Sequence, residues 1–276
     1  MLARYSLIQL NTGCVPKDSY ESLKKYILKS ANNGANLIST PETSNIMELK
    51  SAKLFKNIFA EEDDLFLKKL MQLASDLNVW INLGSWVIRD LNGKALNRTI
   101  LIDSDGGINS RYDKIHLFDV ELSKTEKYLE SKTYNSGDKA IISKTPFGKI
   151  GFTICYDLRF PYLYRDLAKS GAEIIFVPSA FTFETGRAHW HKLIQARAIE
   201  TGSFIVAPAQ CGLHENGRKT YGHSLVVNPW GEIIAEKKKG IGILEFKINL
   251  NEVKLARLKI PSLKKSPAYN IVSNWS

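Results

Sequence analysis

The chain is 276 residues long, 44% hydrophobic and 24% charged; that is apolar enough for a sizeable core and excludes a disordered, collagenous or repeat-array protein. No apolar run reaches the length of a membrane-spanning helix, and the opening MLARYSLIQLNTG lacks the basic and apolar regions of a secretion signal, so the expected location is the cytoplasm. The formal charge is +10, yet the lysines are scattered, clustering only at Lys237-Lys238-Lys239 and Lys264-Lys265; arginine, the residue suited to bidentate phosphate contacts, is in the minority, which favours a solvated lysine surface over a nucleic-acid partner.

Short apolar strands alternate with amphipathic helices along the chain. Residues 5–10 read as a first strand. Residues 17–33 carry Tyr20, Leu23, Tyr26 and Ile27 at helical spacing and end in Asn33-Gly34. A second strand, 36–40, closes on Pro41-Glu42, and a helix over 62–77 presents Leu65, Phe66, Leu70 and Leu73 on one face. Strands over 79–87 and 97–102 flank a turn at Asn92-Gly93. Residues 149–155 form a strand, 161–170 a helix, 173–178 a strand, 186–201 a helix and 204–209 a strand. Two late strands, 224–228 and 232–235, flank Pro229-Trp230-Gly231; a strand at 243–247 and a short helix at 251–258 follow. This alternation predicts an α/β fold with helices covering sheets, and the tight late turns predict some antiparallel pairing. No Pro/Gly/Ser-rich linker interrupts the pattern, so residues 1–276 read as one domain. Periodicity leaves open whether there is one sheet or two.

Three cysteines, Cys14, Cys155 and Cys211, are too few and too widely spaced for a disulfide framework, and without a CxxC there is no structural zinc signature. Cys155 stands where an apolar strand turns into a helix, the edge of an α/β sheet at which ligands bind. A helix N-terminus there would favour a thiolate; the alternative is a cysteine that merely packs. Lys114 lies in Arg111-Tyr112-Asp113-Lys114-Ile115-His116-Leu117-Phe118 and is either an oxyanion-stabilising cation or a surface lysine. His116 is a candidate general base or a hydrogen-bonded loop histidine. Glu42 follows the second strand directly, with Pro41 fixing the turn, and is a base or a solvated acid.

Taken together and in order, these segments resemble the nitrilase superfamily of carbon–nitrogen hydrolases over nearly the whole chain. The matching features are Pro41-Glu42, Tyr112 to Phe118 around Lys114, Glu130 in Tyr128-Leu129-Glu130-Ser131, and Cys155 to Pro161. Phe181-Thr182, Thr185-Gly186, Ala188-His189-Trp190, Gly222-His223-Ser224 and Asn228 to Gly231 resemble the Nit branch, whose substrates include deaminated glutathione and α-ketoglutaramate. Ala207 to Gly212, followed by His214, resembles the deaminated-glutathione side of that branch. Tyr162 replaces a more usual glutamate after Phe160-Pro161, a departure not expected to touch the chemistry.

The resemblance implies a four-layer α-β-β-α sandwich, a homodimer or larger homo-oligomer, no cofactor, and a small amide carrying a carboxylate as substrate. It implies Glu42, Lys114, Glu130 and Cys155 as catalytic residues acting through a thioester, with the Tyr156 backbone N–H as an oxyanion donor. An omega-amidase acting on α-ketoglutaramate, or another aliphatic or carbamoyl amidase, is the alternative. Phe181, Thr182 and Thr185 follow a strand end and are candidates for the substrate wall; Arg159 could hold a substrate carboxylate or brace its loop. No metal site is expected: His189 and His191 form an HxH pair without the spacing of a helical zinc motif, which points to packing and loop ordering. Arg197 and Glu200, three apart, are expected to pair.

Overall fold

The computed structural model describes residues 3–121, 127–265 and 267–272. Six helices are labelled α1 (Pro16–Asn32), α2 (Ser51–Asn57), α3 (Leu65–Leu77), α4 (Pro161–Lys169), α5 (Phe183–Thr201) and α6 (Asn251–Lys259). Two large sheets answer the question that periodicity left open. The first runs Gly242–Lys247, Arg4–Gln9, Leu37–Ser39, Trp80–Arg89, Ala95–Ile102, Ile108–Asp113, with Tyr134–Asn135 added beside Ala95–Ile102. The second runs Ile233–Lys237, Ser224–Val227, Phe204–Ala207, Ile174–Phe176, Gly148–Phe152, Ile142–Thr145. Each has three parallel strands at its centre and antiparallel strands outside.

Strand alternation sorts the side chains into layers. In the first sheet Leu7, Leu37 and Leu101 join the apolar cluster of the second sheet, whereas Ile8, Ile38, Ile100 and Ile102 pack with α1 and α3. Leu163, Tyr164 and Leu167 of α4 and Trp190, Ile194 and Ala198 of α5 belong to the second sheet's cluster. The order is therefore helices, sheet, sheet, helices: the four-layer α-β-β-α sandwich. None of the described helices is long and apolar enough to cross a membrane.

The sheets come so close near the site that one position tolerates no side chain. A Cβ on Gly84 would lie 1.8 Å from the Thr40 carbonyl oxygen and 2.4 Å from the Pro178 Cβ. Neither neighbour is a flexible chain end, and Thr40 belongs to the turn that carries Glu42. Gly84→Ala is expected to lower stability by about 3 kcal/mol or more, read as the denaturation midpoint; an unchanged midpoint would mean the two sheets are not held at this spacing.

Boundaries shift from the sequence expectation for local reasons. The strand expected to reach Cys155 ends at Phe152 because Cys155 itself takes a left-handed conformation, φ 47°. α3 starts later than expected because Asp64 caps it, accepting from the N–H groups of Phe66 and Leu67 and from the Trp86 indole. α5 starts earlier, at Phe183, taking in Gly186 against Tyr221. The periodicity missed α2, which buries only Leu54, and the marginal strands Ile108–Asp113 and Ile142–Thr145.

Candidate active site

The ends of four strands converge on one cavity. Glu42 follows Leu37–Ser39, Lys114 follows Ile108–Asp113, Cys155 follows Gly148–Phe152 and Ala180 follows Ile174–Phe176. Together with Glu130, Asn97, Phe118, Tyr128, Tyr134 and Arg218, the first three line a cavity of about 230 Å³. Four residues scattered over more than a hundred positions thus meet at the carboxyl edges of two sheets, where α/β proteins bind ligands.

Glu42 is 4% exposed and Lys114 2%. The Lys114 ammonium donates to Glu42 Oε1 at 2.9 Å and to Glu130 Oε2 and Oε1 at 2.9 and 3.1 Å. The other oxygen of Glu42 accepts from the Ala180 N–H at 2.8 Å. The Asn97 amide donates to Glu42 Oε1 at 2.9 Å and to Glu130 Oε1 at 3.3 Å. The Phe118 N–H donates to Glu130 Oε2 at 2.6 Å. Burial alone would raise the Glu42 pKa; Lys114 and then Arg218 outweigh it and hold the carboxyl below its ordinary value. Burial would lower Lys114, and Glu130 and Glu42 outweigh that, holding the ammonium above its ordinary value.

Cys155 behaves differently from the sequence expectation. A helix N-terminus was expected to favour the thiolate, but only a five-residue 3-10 turn, Cys155–Arg159, begins there. Burial, followed by the charge of Glu42, raises the Cys155 thiol well above its ordinary pKa. Burial and the neighbouring carboxylate thus both favour the neutral thiol over the thiolate.

Backbone strain gathers here. Cys155 (φ 47°) and Thr43 (φ 55°), next to Glu42, are two of only four non-glycine residues with positive φ among those described. Such conformations persist where surrounding contacts over-determine them. Around Glu42, Thr43 donates its N–H to Ser85 Oγ at 2.7 Å, and the Ser44 hydroxyl lies 2.8 Å from Thr40 Oγ1 and 2.7 Å from the Pro41 carbonyl. Around Cys155 the brace is Asp157, fully buried. Its carboxylate accepts from Tyr112 (2.6 Å), from the Ile154 and His116 N–H groups (2.8 and 3.0 Å), and meets His116 Nδ1 at 2.6 Å. Tyr112 and His116, on either side of Lys114, therefore grip the cysteine turn, which explains their place in the sequence pattern. His116 stacks on Phe160 at 3.6 Å and meets the Tyr162 hydroxyl at 2.7 Å. It is a brace rather than a base, and Tyr162 touches that brace.

The remaining candidates divide. Phe181, Thr182, Thr185 and Arg159 line a narrow slot that shares Cys155, Phe118 and Arg218 with the main cavity. The Thr182 and Thr185 hydroxyls are 2.6 Å apart. The Arg159 guanidinium lies over Phe181 and reaches His189 Nδ1 at 3.3 Å, so bracing and facing the slot coexist. Tyr156 is the second residue of the 3-10 turn, directly after Cys155, where early N–H groups lack helical partners. Arg197 pairs with Glu200 at 2.9 Å.

Sequence reasoning missed Asn97 and Arg218. Asn97 had only a weak signal, since it is followed in its strand by Arg98 and Thr99. Arg218 had none, since it arrives from the hairpin Cys211–Leu213 and Lys219–Tyr221. It stands over the Tyr128 ring at 5.2 Å, donates to the Ala180 carbonyl, and keeps a buried Nε without a hydrogen-bond acceptor. His214, between Thr12 and Thr220, braces that hairpin, and Gln210 donates to the Glu42 carbonyl at 2.9 Å. These are the structural roles of the segment that resembled one side of the Nit branch.

The shifts at Glu42, Lys114 and Cys155 give a pH expectation. Glu42 stays ionised below, and Lys114 protonated above, the range where each normally titrates. kcat/KM on an uncharged amide should be flat from about pH 5 to pH 9. A rise with an apparent pKa of about 8.5 would indicate a thiolate formed in advance and contradict the neutral-thiol site.

A carbon-nitrogen hydrolase family profile matches residues 5–258. The chain is 38% identical over 266 residues to a deaminated glutathione amidase of Yersinia enterocolitica, covering 95% of this chain and 92% of the relative. It is 36% identical to the human protein of that name, covering 89% and 76%. Among solved structures it is similar to the Caenorhabditis elegans NitFhit protein (TM-score 0.89, 32% identity, 96% of this chain and 66% of that one). It is also similar to Saccharomyces cerevisiae Nit3, described as a member of branch 10 of the nitrilase superfamily (TM-score 0.84, 27% identity, 94% of each chain).

Proposed function

The chain belongs to the carbon–nitrogen hydrolase family, in the Nit branch of the nitrilase superfamily, and on that premise we propose that it is a cysteine-dependent amidase whose preferred substrate is deaminated glutathione. The observation that carries the reaction is the buried Glu42–Lys114 pair, with Glu130 on the same ammonium, lining one cavity with Cys155.

In this reading the Cys155 sulfur attacks the amide carbonyl carbon while its proton passes to Glu42. The C–S bond forms and the carbonyl oxygen takes up negative charge beside the Lys114 ammonium and the Tyr156 N–H. Each such donor contributes on the order of 3–4 kcal/mol. The oxyanion collapses, the C–N bond breaks, and Glu42 returns its proton to the leaving nitrogen, which amide resonance otherwise makes a poor leaving group. Water then attacks the thioester, giving a proton to Glu42; the C–S bond breaks and sulfur recovers that proton. Glu130 and Asn97 hold Lys114 and Glu42 in place throughout.

Two guanidinium groups support a carboxylate-bearing substrate. Arg218 borders both compartments and Arg159 the slot, and Lys127 lines the main cavity. Deaminated glutathione and α-ketoglutaramate share an α-keto acyl half and differ in the leaving nitrogen, which is cysteinylglycine in one and ammonia in the other. Deaminated glutathione is the larger of the two, and contacts of its remote end along the main cavity can be turned into transition-state stabilisation. Initial rates of α-ketoglutarate release from both compounds should give the higher kcat/KM for deaminated glutathione. A preference for α-ketoglutaramate would make this an omega-amidase, and turnover of neither would leave only the reaction class.

The same reading places one domain of this kind in the cytoplasm, where Cys14, Cys155 and Cys211 remain thiols. A homodimer or larger assembly is supported by exposed Ile199, Trp230, Leu258 and Ile260.

A further inference from the structure

The HxH pair does not act as a pair. His189 turns to Arg159, while His191, one turn-face away on α5, meets His223 and Glu236. We propose that His191, His223 and Glu236 form a binding site for a divalent transition-metal ion of the zinc class, separate from the amidase site.

The three residues come from different elements: α5, the loop after Lys219–Tyr221, and the strand Ile233–Lys237. Their donor atoms all lie within 4.8 Å of one another. His191 Nε2 is 3.0 Å, and His223 Nδ1 2.6 Å, from the same oxygen, Glu236 Oε1. Two imidazoles and one carboxylate are a donor set that zinc accepts, with a fourth position for water. Donors bound tetrahedrally at about 2.0–2.1 Å stand about 3.3 Å apart, so the contacts of His191 and His223 to Glu236 Oε1 would open by about 0.3 and about 0.7 Å to seat an ion. Each ring would move its proton to the far nitrogen and present a lone pair.

His223 is fixed in advance. It holds a left-handed φ of 57°. Its N–H donates to the Lys238 carbonyl, its carbonyl accepts from the Trp190 indole at 2.9 Å, and its ring stacks on Tyr221 at 4.1 Å. A preset ring orientation is what supporting contacts supply at metal sites. All three side chains are partly exposed, between 17% and 27%, which gives an ion access from solvent. None of the three lines the Cys155 cavity or the slot. The ion would tie α5, whose first turn carries Thr185 of the slot, to the edge strand of the second sheet.

Untagged, metal-stripped protein should be titrated with Co²⁺ and the visible spectrum followed, with Zn²⁺ used in competition. The site predicts one Co²⁺ per chain, d–d bands without a thiolate charge-transfer band, displacement by Zn²⁺, and a rise in Tm on Zn²⁺ addition. His191→Gln and Glu236→Gln should each weaken binding by more than about 10-fold, and Cys155→Ala should leave it unchanged. Circular dichroism of the metal-free variants checks that they fold. The proposal is overturned by undiminished Co²⁺ binding in well-folded His191→Gln, by a charge-transfer band that disappears in Cys155→Ala, or by no binding in the parent chain. In that last case the cluster is a hydrogen-bonded staple only.

Discussion

Cys155→Ala is expected to lower kcat/KM by at least about 10⁴-fold while leaving the fold intact. In the proposed reaction Cys155 supplies the bond on which both halves depend, and losses of this order follow when a nucleophile is removed. Stability should barely move. Alanine adopts the left-handed φ of 47° at no greater cost than cysteine, and Asp157, Tyr112 and His116 still brace the turn. Activity on the amide and the thermal midpoint should be read on the same preparation. Turnover within tenfold of the parent would remove Cys155 from the chemistry.

Lys114 should give the second largest effect, visible in both rate and stability. Its ammonium has three carboxylate contacts at 2.9–3.1 Å in a site with 2% exposure. A guanidinium is planar and larger, so Lys114→Arg cannot put a point charge at the same spot. A loss of about 10³-fold in kcat, near 4 kcal/mol of oxyanion stabilisation, is expected. Lys114→Met goes further by leaving Glu42 buried without its cation, which should destabilise the fold by about 3–5 kcal/mol. The pH dependence then reverses. In the parent chain the Glu42 pKa is depressed, so its contribution to stability exists above the unfolded-state pKa and is lost as pH falls through the folded value. In Lys114→Met burial is opposed far less, the folded pKa is raised, and stability returns on acidification. Urea midpoints at neutral and acidic pH would show it; the same acid sensitivity in both proteins would mean that Lys114 is not what holds Glu42 charged.

The alternation of strands and helices was legible in the periodicity; the layers came only through the family resemblance, because Leu7 and Ile8, or Leu37 and Ile38, are adjacent, face opposite sheet surfaces and are all buried. The number of sheets was not, because central strands buried on both faces, such as Ile174–Phe176, show no alternation. In the candidate site, Glu42 and Cys155 could be found because each follows an apolar strand. Lys114 and Glu130 needed the family resemblance, since neither has a local cue. Asn97 and Arg218 went unseen; their roles arise from contacts with Glu42, Glu130 and Ala180 across long stretches of chain. The raised pKa of the thiol was not legible for a related reason. A helix start can be read from sequence, but the burial of Cys155 and the charge of Glu42 beside it are properties of the assembled cavity.

In the proposed reaction Cys155 carries the acyl group. Glu42→Gln keeps the shape of the site but removes the base that activates water, so deacylation should lag behind whatever acylation remains. The variant should be incubated with deaminated glutathione, quenched in acid, digested and analysed by mass spectrometry. An α-ketoglutaryl adduct is expected on the peptide containing Cys155, labile to hydroxylamine as a thioester is, and none on the peptides of Cys14 or Cys211. Product formed by the parent chain with no Cys155 adduct in the variant at any time point, or an adduct on another residue, would contradict it.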